Sequence, residues 1–252
     1  MTATIQTAVG RFVWHDLNST DVERAKAFYT ELLGWGTEVF KPGEMDYTMI
    51  SVNGVGHGGL NAVQGGVPSH WLGHVVVEDV DRAVERANGA GGSLVTGPMD
   101  IPDVGRIAVL QDPQGATISA FQPSGDDGPL AEGVFVWDEL MTTDVESAKR
   151  FYAELFGWTT DEMDMGGDTY TLFESEETSV GGVFASPEDV EAPPHWYPYL
   201  RTDDVDASTA KAKELGAKVY VEPMEIPGDV GRFSVLGDPT GATFGLHKLT
   251  SR

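Results

Sequence analysis

The sequence predicts an α+β fold of four βαβββ modules, two in each half of the chain. A strand-and-helix block that begins at Phe12 recurs from Phe135. An Asp-Pro-x-Gly-Ala-Thr turn at Asp112 recurs at Asp238. Short strand signals follow each helix signal. Repetition in register over most of a chain indicates a duplicated unit.

The opening unit is a strand followed by a helix. The segment from Arg11 to Leu17 is rich in aromatic and β-branched residues, which favours a strand. Apolar residues then recur at helical spacing from Val22 to Leu33, and Gly34 is placed to end the helix. Ser19 or Thr20 is predicted to cap its first turn, because their hydroxyls can accept from free backbone amides.

Three short strands complete the first module, with Asn53-Gly54 as a hairpin turn between the last two. The same order begins again near His70. The predicted elements up to residue 122 are strands 36–40, 47–52, 55–61 and 71–77, helix 80–88, and strands near Leu94 and over 106–110 and 117–121. The second half repeats the plan, with helices predicted over 145–156 and 205–215.

The segment Pro123–Pro129 consists of turn-forming residues and is predicted to link two domains. The predicted first domain is 1–122, with modules 8–66 and 70–122. The linker is 123–132, and the second domain is 133–252, with modules 133–190 and 195–248.

Composition excludes several classes of function. The chain has 16 Lys and Arg against 40 Asp and Glu, a net charge of −24, which disfavours nucleic acids and anionic membranes as partners. It has no Cys, so disulfides, thiolate nucleophiles and thiolate metal ligands are excluded. No signal peptide or long apolar run is visible, and a cytoplasmic location is predicted.

Three motifs point to a family. They are Asp-Val-Glu-x-Ala-Lys-x-Phe-Tyr-x-Glu-Leu-x-Gly-Trp in both halves, Asp-Asp-Val-Asp at Asp203, and Asp-Pro-x-Gly-Ala at Asp112 and Asp238. On these the chain resembles the vicinal oxygen chelate superfamily, which includes glyoxalase I, extradiol dioxygenases and bleomycin-resistance proteins, and its tandem actinobacterial members in particular. The resemblance implies that paired modules curl an antiparallel sheet into a cup that holds a ligand or a divalent metal.

The resemblance also locates the positions at which metal-binding members of the superfamily carry their ligands. In this chain they fall on Trp14, Leu72 and Ser119 in the first half and on Trp137, Tyr197 and Gly245 in the second. Five of the six offer no ordinary ligand, and Tyr197 alone is a poor one. We therefore expect no metal and no other cofactor.

Strand alternation predicts which side chains face the cup. The expected ligand-binding residues are Trp14, Asp16, His70, His74, Phe121, Trp137, Tyr199 and Arg201. The expected catalytic residues are Glu139, His195, Tyr197 and His247, because a carboxylate, imidazoles and a phenol suffice for general acid/base chemistry. Structural roles stay open for many of them: core packing for the aromatics, strand capping for His70 and His195. His57 is expected to be an exposed strand residue.

The sequence leaves two functions open. The first is a metal-independent protein that sequesters or transforms a small, largely apolar, aromatic molecule in a cup lined by Trp, Tyr and His. The alternative is a divalent-metal-dependent lyase, isomerase or dioxygenase whose ligands have moved to Glu139, His195 and His247. The two cups are expected to differ, since the halves differ at inward-facing positions. The duplication predicts a monomer with internal pseudo-symmetry, or a weak homodimer.

Overall fold

The computed structural model describes residues 8–41, 47–63, 65–125, 133–164, 169–187, 190–228 and 230–249. The elements of the first half are β1 (Phe12–Ser19), α1 (Val22–Leu33), β2 (Gly36–Phe40), β3 (Tyr47–Val52), β4 (Val55–Ala62), β5 (His70–Val76), α2 (Val80–Gly89), β6 (Ser93–Ile101), β7 (Gly105–Gln111) and β8 (Thr117–Pro123). Those of the second half are β9 (Phe135–Thr142), α3 (Val145–Phe156), β10 (Thr159–Asp164), β11 (Thr169–Ser175), β12 (Thr178–Ala185), β13 (His195–Arg201), α4 (Val205–Glu214), β14 (Lys218–Ile226), β15 (Gly231–Gly237) and β16 (Thr243–Leu249).

The strands form two curled sheets of eight, one from each half of the chain. Their strand orders are β2-β3-β4-β1-β5-β8-β7-β6 and β10-β11-β12-β9-β13-β16-β15-β14. Within a module the first strand pairs in parallel with the last, as β1 does with β4 and β5 with β8, while consecutive hairpin strands are antiparallel. The identical orders confirm the predicted duplication and the α+β class.

The helix boundaries agree to within a residue with those predicted from the sequence, but the predicted cap of α1 is wrong. The side chain of Asp21, rather than Ser19 or Thr20, accepts from the backbone N–H of Arg24 at 3.1 Å. The Ser19 hydroxyl instead accepts from the backbone N–H of Asp21. An aspartate occupies the same position at the start of the other three helices. A carboxylate is the stronger acceptor and also complements the positive end of the helix.

Glycine fixes the ends of α1 and α3. Gly34 and Gly157 adopt φ of 71° and 75°, the left-handed conformation that glycine adopts without steric cost. The predicted hairpin at Asn53-Gly54 is confirmed, with φ of 53° and 77° as a type I′ turn requires. No helix in the described part of the chain is long and apolar enough to cross a membrane.

Packing divides the chain into two compact units, each of which takes segments from both halves. The first unit holds the described parts of 1–14, 72–130 and 138–196, and the second those of 15–71, 131–137 and 197–252. The core of the first unit joins residues of α2, β7 and β8 to Phe151, Tyr152 and Leu155 of α3. The core of the second joins Phe28 and Tyr29 of α1 to residues of α4, β15 and β16. The predicted boundary at 123–132 stays a prediction, and residues 126–132 lie outside the described part of the chain.

The repeated Tyr, Trp and Asp-Pro-x-Gly motifs meet in one buried network in each unit. In the first unit, Oδ1 of Asp112 accepts from the backbone amides of residues 114–116, and Oδ2 accepts from the Tyr152 hydroxyl at 3.1 Å. That hydroxyl accepts from Nε1 of Trp196 at 2.7 Å. Burial, and then the nearby Asp112 carboxylate, raise the pKa of Tyr152 well above its usual value. The motifs are therefore scaffold, because they tie a turn of one module to a helix of a second module and a strand of a third.

The second unit contains the same network. The Tyr29 hydroxyl donates to Oδ2 of Asp238 at 3.1 Å and accepts from Nε1 of Trp71 at 3.3 Å. Burial first, and the carboxylate second, raise the pKa of Tyr29. The predicted position of Trp71 and Trp196 on the helix-packed face of their sheets is confirmed, since both belong to the cores.

Candidate functional site

Each sheet has one face packed against helices and an opposite face, here called the inner face. Trp196 and Leu200 of β13 lie in the cores, so alternation places His195, Tyr197, Tyr199 and Arg201 on the inner face. The same argument places His70, Leu72 and His74 of β5 on the inner face, because Trp71 and Val75 are core residues. The face assignments made from sequence are thus confirmed for both strands.

An aromatic cluster occupies the inner face of the second unit. The ring of Tyr199 lies 5.6 Å from that of Tyr197, 6.1 Å from that of Phe233 and 6.1 Å from the imidazole of His247. Tyr197, Tyr199 and His247 are 4, 6 and 7 % exposed. The structure thus brings together three of the predicted site residues and adds Phe233, which sequence reasoning missed.

Glycines make room for this cluster. A Cβ at Gly245 would lie 2.1 Å from Cδ1 of Tyr199, and a Cβ at Gly231 would lie 2.9 Å from Nε2 of His247. Real Cβ atoms are not found so close to other heavy atoms, so both positions require glycine while these rings stay in place. Gly231 and Gly245 therefore leave the space that the side chains of His247 and Tyr199 occupy.

His247 is the polar member of the cluster. Its Nε2 is buried and has no hydrogen-bond partner among the described residues. Burial lowers the pKa of His247, which keeps the imidazole neutral at neutral pH. A neutral imidazole offers one donor and one acceptor nitrogen, and can therefore exchange a proton with a hydroxyl or carbonyl group. The equivalent residue of the first half, 126 positions earlier, is Phe121, which is half-buried.

A carboxylate and a phenol are hydrogen-bonded on the inner face at corresponding positions of the two halves. The Tyr47 hydroxyl donates to Oδ1 of Asp16 at 2.5 Å, within the second unit. The Tyr170 hydroxyl donates to Oε1 of Glu139 at 2.7 Å, within the first unit. Asp16 and Glu139 were predicted from sequence, whereas Tyr47 and Tyr170 were missed. The signal was available, because both members of the second pair lie 123 positions after those of the first.

Of the remaining histidines, two bond to a backbone carbonyl two residues earlier and one is buried within the sheet. Nδ1 of His70 donates to the carbonyl of Pro68 at 2.9 Å, and Nδ1 of His195 donates to that of Pro193 at 2.8 Å. These contacts match the strand-capping alternative. His74 is 6 % exposed and lies opposite Ser119, whose buried Oγ has no hydrogen-bond partner among the described residues.

The expectation for His57 is wrong, because it is 7 % exposed rather than a surface residue. It lies on β4, which pairs with β3 on one side and with β1 on the other. Of the other predicted residues, Trp14 and Trp137 are half-buried and the side chain of Arg201 is exposed. Their roles in a site stay predictions.

The residues at the metal-ligand positions do not fit a metal. Trp14, Leu72 and Ser119 in the first half provide one hydroxyl, and Trp137, Tyr197 and Gly245 in the second provide one phenol. Divalent ions in this kind of site require imidazole or carboxylate ligands. No group of three His, Asp or Glu side chains in the described part of the chain is arranged to hold a metal ion, and that includes the alternative set of Glu139, His195 and His247.

Fold and sequence together define a class of protein. The chain belongs to the glyoxalase/bleomycin resistance protein/dioxygenase superfamily: that superfamily's model matches residues 9–120, and a glyoxalase-like domain model matches residues 135–247. The chain is 35% identical over 245 residues to a Mycobacterium bovis protein named "Putative glyoxylase CFP32", covering 93% of each chain. It is 33% identical to the anthracycline biosynthesis protein DauV of Streptomyces sp., covering 96% of this chain and 94% of that protein.

Solved structures share the fold at low sequence identity. The 2,2',3-trihydroxybiphenyl 1,2-dioxygenase of Sphingomonas wittichii superposes with a TM-score of 0.65 at 16% identity, covering 94% of this chain and 89% of that one. The Mn(II)-bound glyoxalase of Novosphingobium aromaticivorans has a TM-score of 0.66 at 15% identity, and the match covers 95% of this chain and 82% of that one. These likenesses establish the vicinal oxygen chelate fold and leave the activity to the site residues.

Proposed function

We propose that the protein binds a small, largely apolar aromatic molecule at the inner face of its second half. The observation that carries this proposal is the cluster of Tyr197, Tyr199 and Phe233 around a neutral His247. Ligand sites are mostly apolar with a few oriented polar groups, and aromatic rings bind flat ligands by offset or edge-to-face stacking. Two phenols and an imidazole add hydrogen bonds for oxygen atoms of the ligand.

Charge and relatedness support the same ligand class. A net charge of −24 disfavours anionic ligands at long range, which leaves neutral or cationic ones. One relative at 33% identity is named for anthracycline biosynthesis. Anthracyclines are planar aromatic compounds that carry hydroxyl and carbonyl oxygens, which fits a cluster of rings and hydrogen-bonding groups.

Any chemistry at this site is proposed to be general acid/base catalysis by His247 with Tyr197 and Tyr199 as hydrogen-bond donors to ligand oxygens. A ring that is neutral at neutral pH can remove a proton from an acidic hydroxyl or carbon and return it elsewhere on the ligand. The catalytic roles predicted for Glu139 and His195 stay predictions. Recovery of the ligand unchanged after long incubation would identify a sequestering protein instead of an enzyme.

Titration with 1,2-dihydroxyanthraquinone tests the proposal. We expect saturable binding, measured as quenching of the intrinsic fluorescence. Tyr199→Ala should bind at least about fivefold more weakly, since a buried aromatic contact contributes more than about 1 kcal/mol. Val55→Ala, an exposed substitution in the same unit, serves as the control and should bind like the wild type. The absence of saturable binding by the wild type would overturn the proposal.

The proposal also holds that the protein works without a resident divalent metal. Elemental analysis of the purified protein should find less than one ion per chain, and treatment with a chelator should leave dihydroxyanthraquinone binding unchanged. About one bound ion per half, with binding lost on chelation, would instead support the metal-dependent alternative.

A further inference from the structure

Two polar side chains lie side by side on the inner face of the second unit. Arg201 of β13 and His247 of β16 are register partners in a parallel pair of strands, and both belong to the second unit. Their side chains therefore lie on the same face, on strands about 4.8 Å apart. The register partners at the equivalent place in the first half are Val76 and Phe121. The second half thus carries a cationic and an ionisable side chain where the first half carries two apolar ones.

Both groups have bonding capacity that the described residues leave unused. Nε2 of His247 is buried and has no hydrogen-bond partner among those residues, which is unfavourable for a polar atom. Arg106 and Arg232, at equivalent positions of β7 and β15, each pair with two carboxylates. Arg201 pairs with none in the part of the chain that the structure describes, and its side chain is exposed. A ligand can therefore reach the guanidinium group.

The guanidinium group leaves space beside the imidazole. Nη1 of Arg201 lies 3.6 Å from the position that a Cβ on Gly133 would occupy, next to the start of β9 and on the side of β13 away from β16. Among the described residues, the titratable side chains next to His247 on this face are Tyr199 and Arg201. The neighbouring strand β15 adds no charge there, since its inner face carries Gly231, Phe233 and Val235.

An acidic hydroxyl group of a ligand suits these two groups. In the tautomer that carries its hydrogen on Nδ1, Nε2 of His247 can accept the hydroxyl proton: the O–H bond breaks, an N–H bond forms, and the electron pair stays on the oxygen. Burial opposes the imidazolium that results. A permanent positive charge close to the oxygen stabilises the anion and lowers the pKa of the hydroxyl group. The guanidinium of Arg201 can supply that charge.

We propose that Arg201 and His247 form a subsite that binds a phenolic or enolic hydroxyl group of the aromatic ligand as its anion. His247 takes the proton, and Arg201 stabilises the negative charge on the oxygen. The ligand arrives neutral, as the negative charge of the chain favours, and ionises after it binds. The inference rests on the proposed function for the ligand class, and it adds the acidity of the hydroxyl group and a role for Arg201.

A pH titration of bound 1,2-dihydroxyanthraquinone tests this inference, because the visible absorption band of this probe moves to longer wavelength when a hydroxyl group ionises. In the wild type, the apparent pKa of the bound probe should lie below that of the free probe. Arg201→Met keeps an apolar stem and removes the charge, and should decrease the ionisation constant of the bound probe about tenfold or more. Lys248→Met is the matched control: Lys248 is exposed and adjacent in sequence to His247 but lies on the opposite face of β16, so the ionisation constant should not change.

A second probe separates the effect of the charge from a structural role. Unsubstituted anthraquinone has no proton to lose, so the wild type and Arg201→Met should bind it equally. The double variant Arg201→Val/His247→Phe copies the apolar pair of the first half, and it should hold the dihydroxy probe with an ionisation constant no higher than that of the free probe.

The outcomes distinguish this inference from the proposed function. If the wild type binds the dihydroxy probe but Arg201→Met leaves its ionisation constant unchanged, the inference is overturned and the proposed function stands. The same holds if Arg201→Met loses affinity for both probes alike, because Arg201 would then act on the structure of the site rather than on the charge of the ligand. Failure of the wild type to bind the dihydroxy probe would overturn both.

Discussion

His247 sets the proton chemistry expected at the scale of single residues. Its pKa is lowered by burial, so the folded protein binds a proton at this site less readily than the unfolded chain, whose histidines titrate near 6.5. The stability linked to the neutral ring is present above the unfolded pKa and is lost as the pH falls through the lower folded pKa. We therefore expect the free energy of unfolding to decrease as the pH is lowered below about 6.5.

The contribution of His247 can be separated from that of the other histidines with His247→Phe. Phenylalanine occupies the equivalent position in the first half, so the ring volume is retained. Urea unfolding measured between pH 7.5 and 5 should show a smaller loss of stability for the variant than for the wild type. If the two curves stay parallel over this range, His247 does not titrate as its burial implies.

At the scale of elements, the Tyr-Asp-Trp networks join helices to turns from the other half. Tyr152→Phe leaves Oδ2 of Asp112 without its tyrosine donor and Nε1 of Trp196 without its acceptor. Loss of a partner by a buried polar group costs about 1–3 kcal/mol, and we expect a decrease of this size in the free energy of unfolding. Tyr29→Phe should cost a similar amount, because its network is equivalent.

The control for these substitutions is Tyr220→Phe, at a residue 49 % exposed on β14. Exposed substitutions of this kind change stability by less than about 0.5 kcal/mol. Urea unfolding of both variants gives the comparison. If the free energy of unfolding decreases no more in Tyr152→Phe than in Tyr220→Phe, the network contributes nothing to stability.

The strand glycines provide a second test at this scale. Gly182→Ala places a methyl group within 1.8 Å of the Tyr170 hydroxyl, so the phenol must move and its bond to Glu139 must lengthen or break. Overpacking of this kind costs about 1–3 kcal/mol. Gly89→Ala is the matched control, since an added Cβ at that helical position meets no atom within 4 Å. Equal unfolding midpoints for the two variants would contradict the tight approach of Tyr170.

The elements were largely predictable from sequence, whereas the contacts between them were only partly so. Periodicity, glycine and the Asn-Gly turn gave the helices and strands to within a few residues, because these signals are local. The cap of α1 was misassigned because three adjacent polar residues compete for one role. Tyr47 and Tyr170 were missed because each meets its carboxylate 31 positions away, through a strand register that alternation alone does not show.

At the scale of the whole molecule, the duplication was plain in the sequence but the sharing of cores was not. Similar modules have similar apolar faces, so the hydrophobic pattern of the sequence cannot show which modules pack against each other. The structure shows that each core takes residues from both halves: Phe151 and Leu155 pack in one with Leu110, and Phe28 packs in the other with Leu200 and Phe244. Each half thus forms one sheet, while each core depends on both halves.

This arrangement predicts that neither half is stable alone. A fragment of residues 1–122 would lose Phe151, Tyr152 and Leu155 from one core and Leu200, Leu236 and Phe244 from the other. Each such side chain contributes about 1.5–3 kcal/mol when buried, so the six together contribute about 9–18 kcal/mol, as much as the roughly 5–15 kcal/mol that keeps a typical domain folded. We expect the fragment to show no cooperative thermal transition and to self-associate. Mixing it with residues 123–252 should restore a cooperative transition near that of the intact chain, whereas a monomeric fragment that unfolds cooperatively by itself would show that one half can complete its own core.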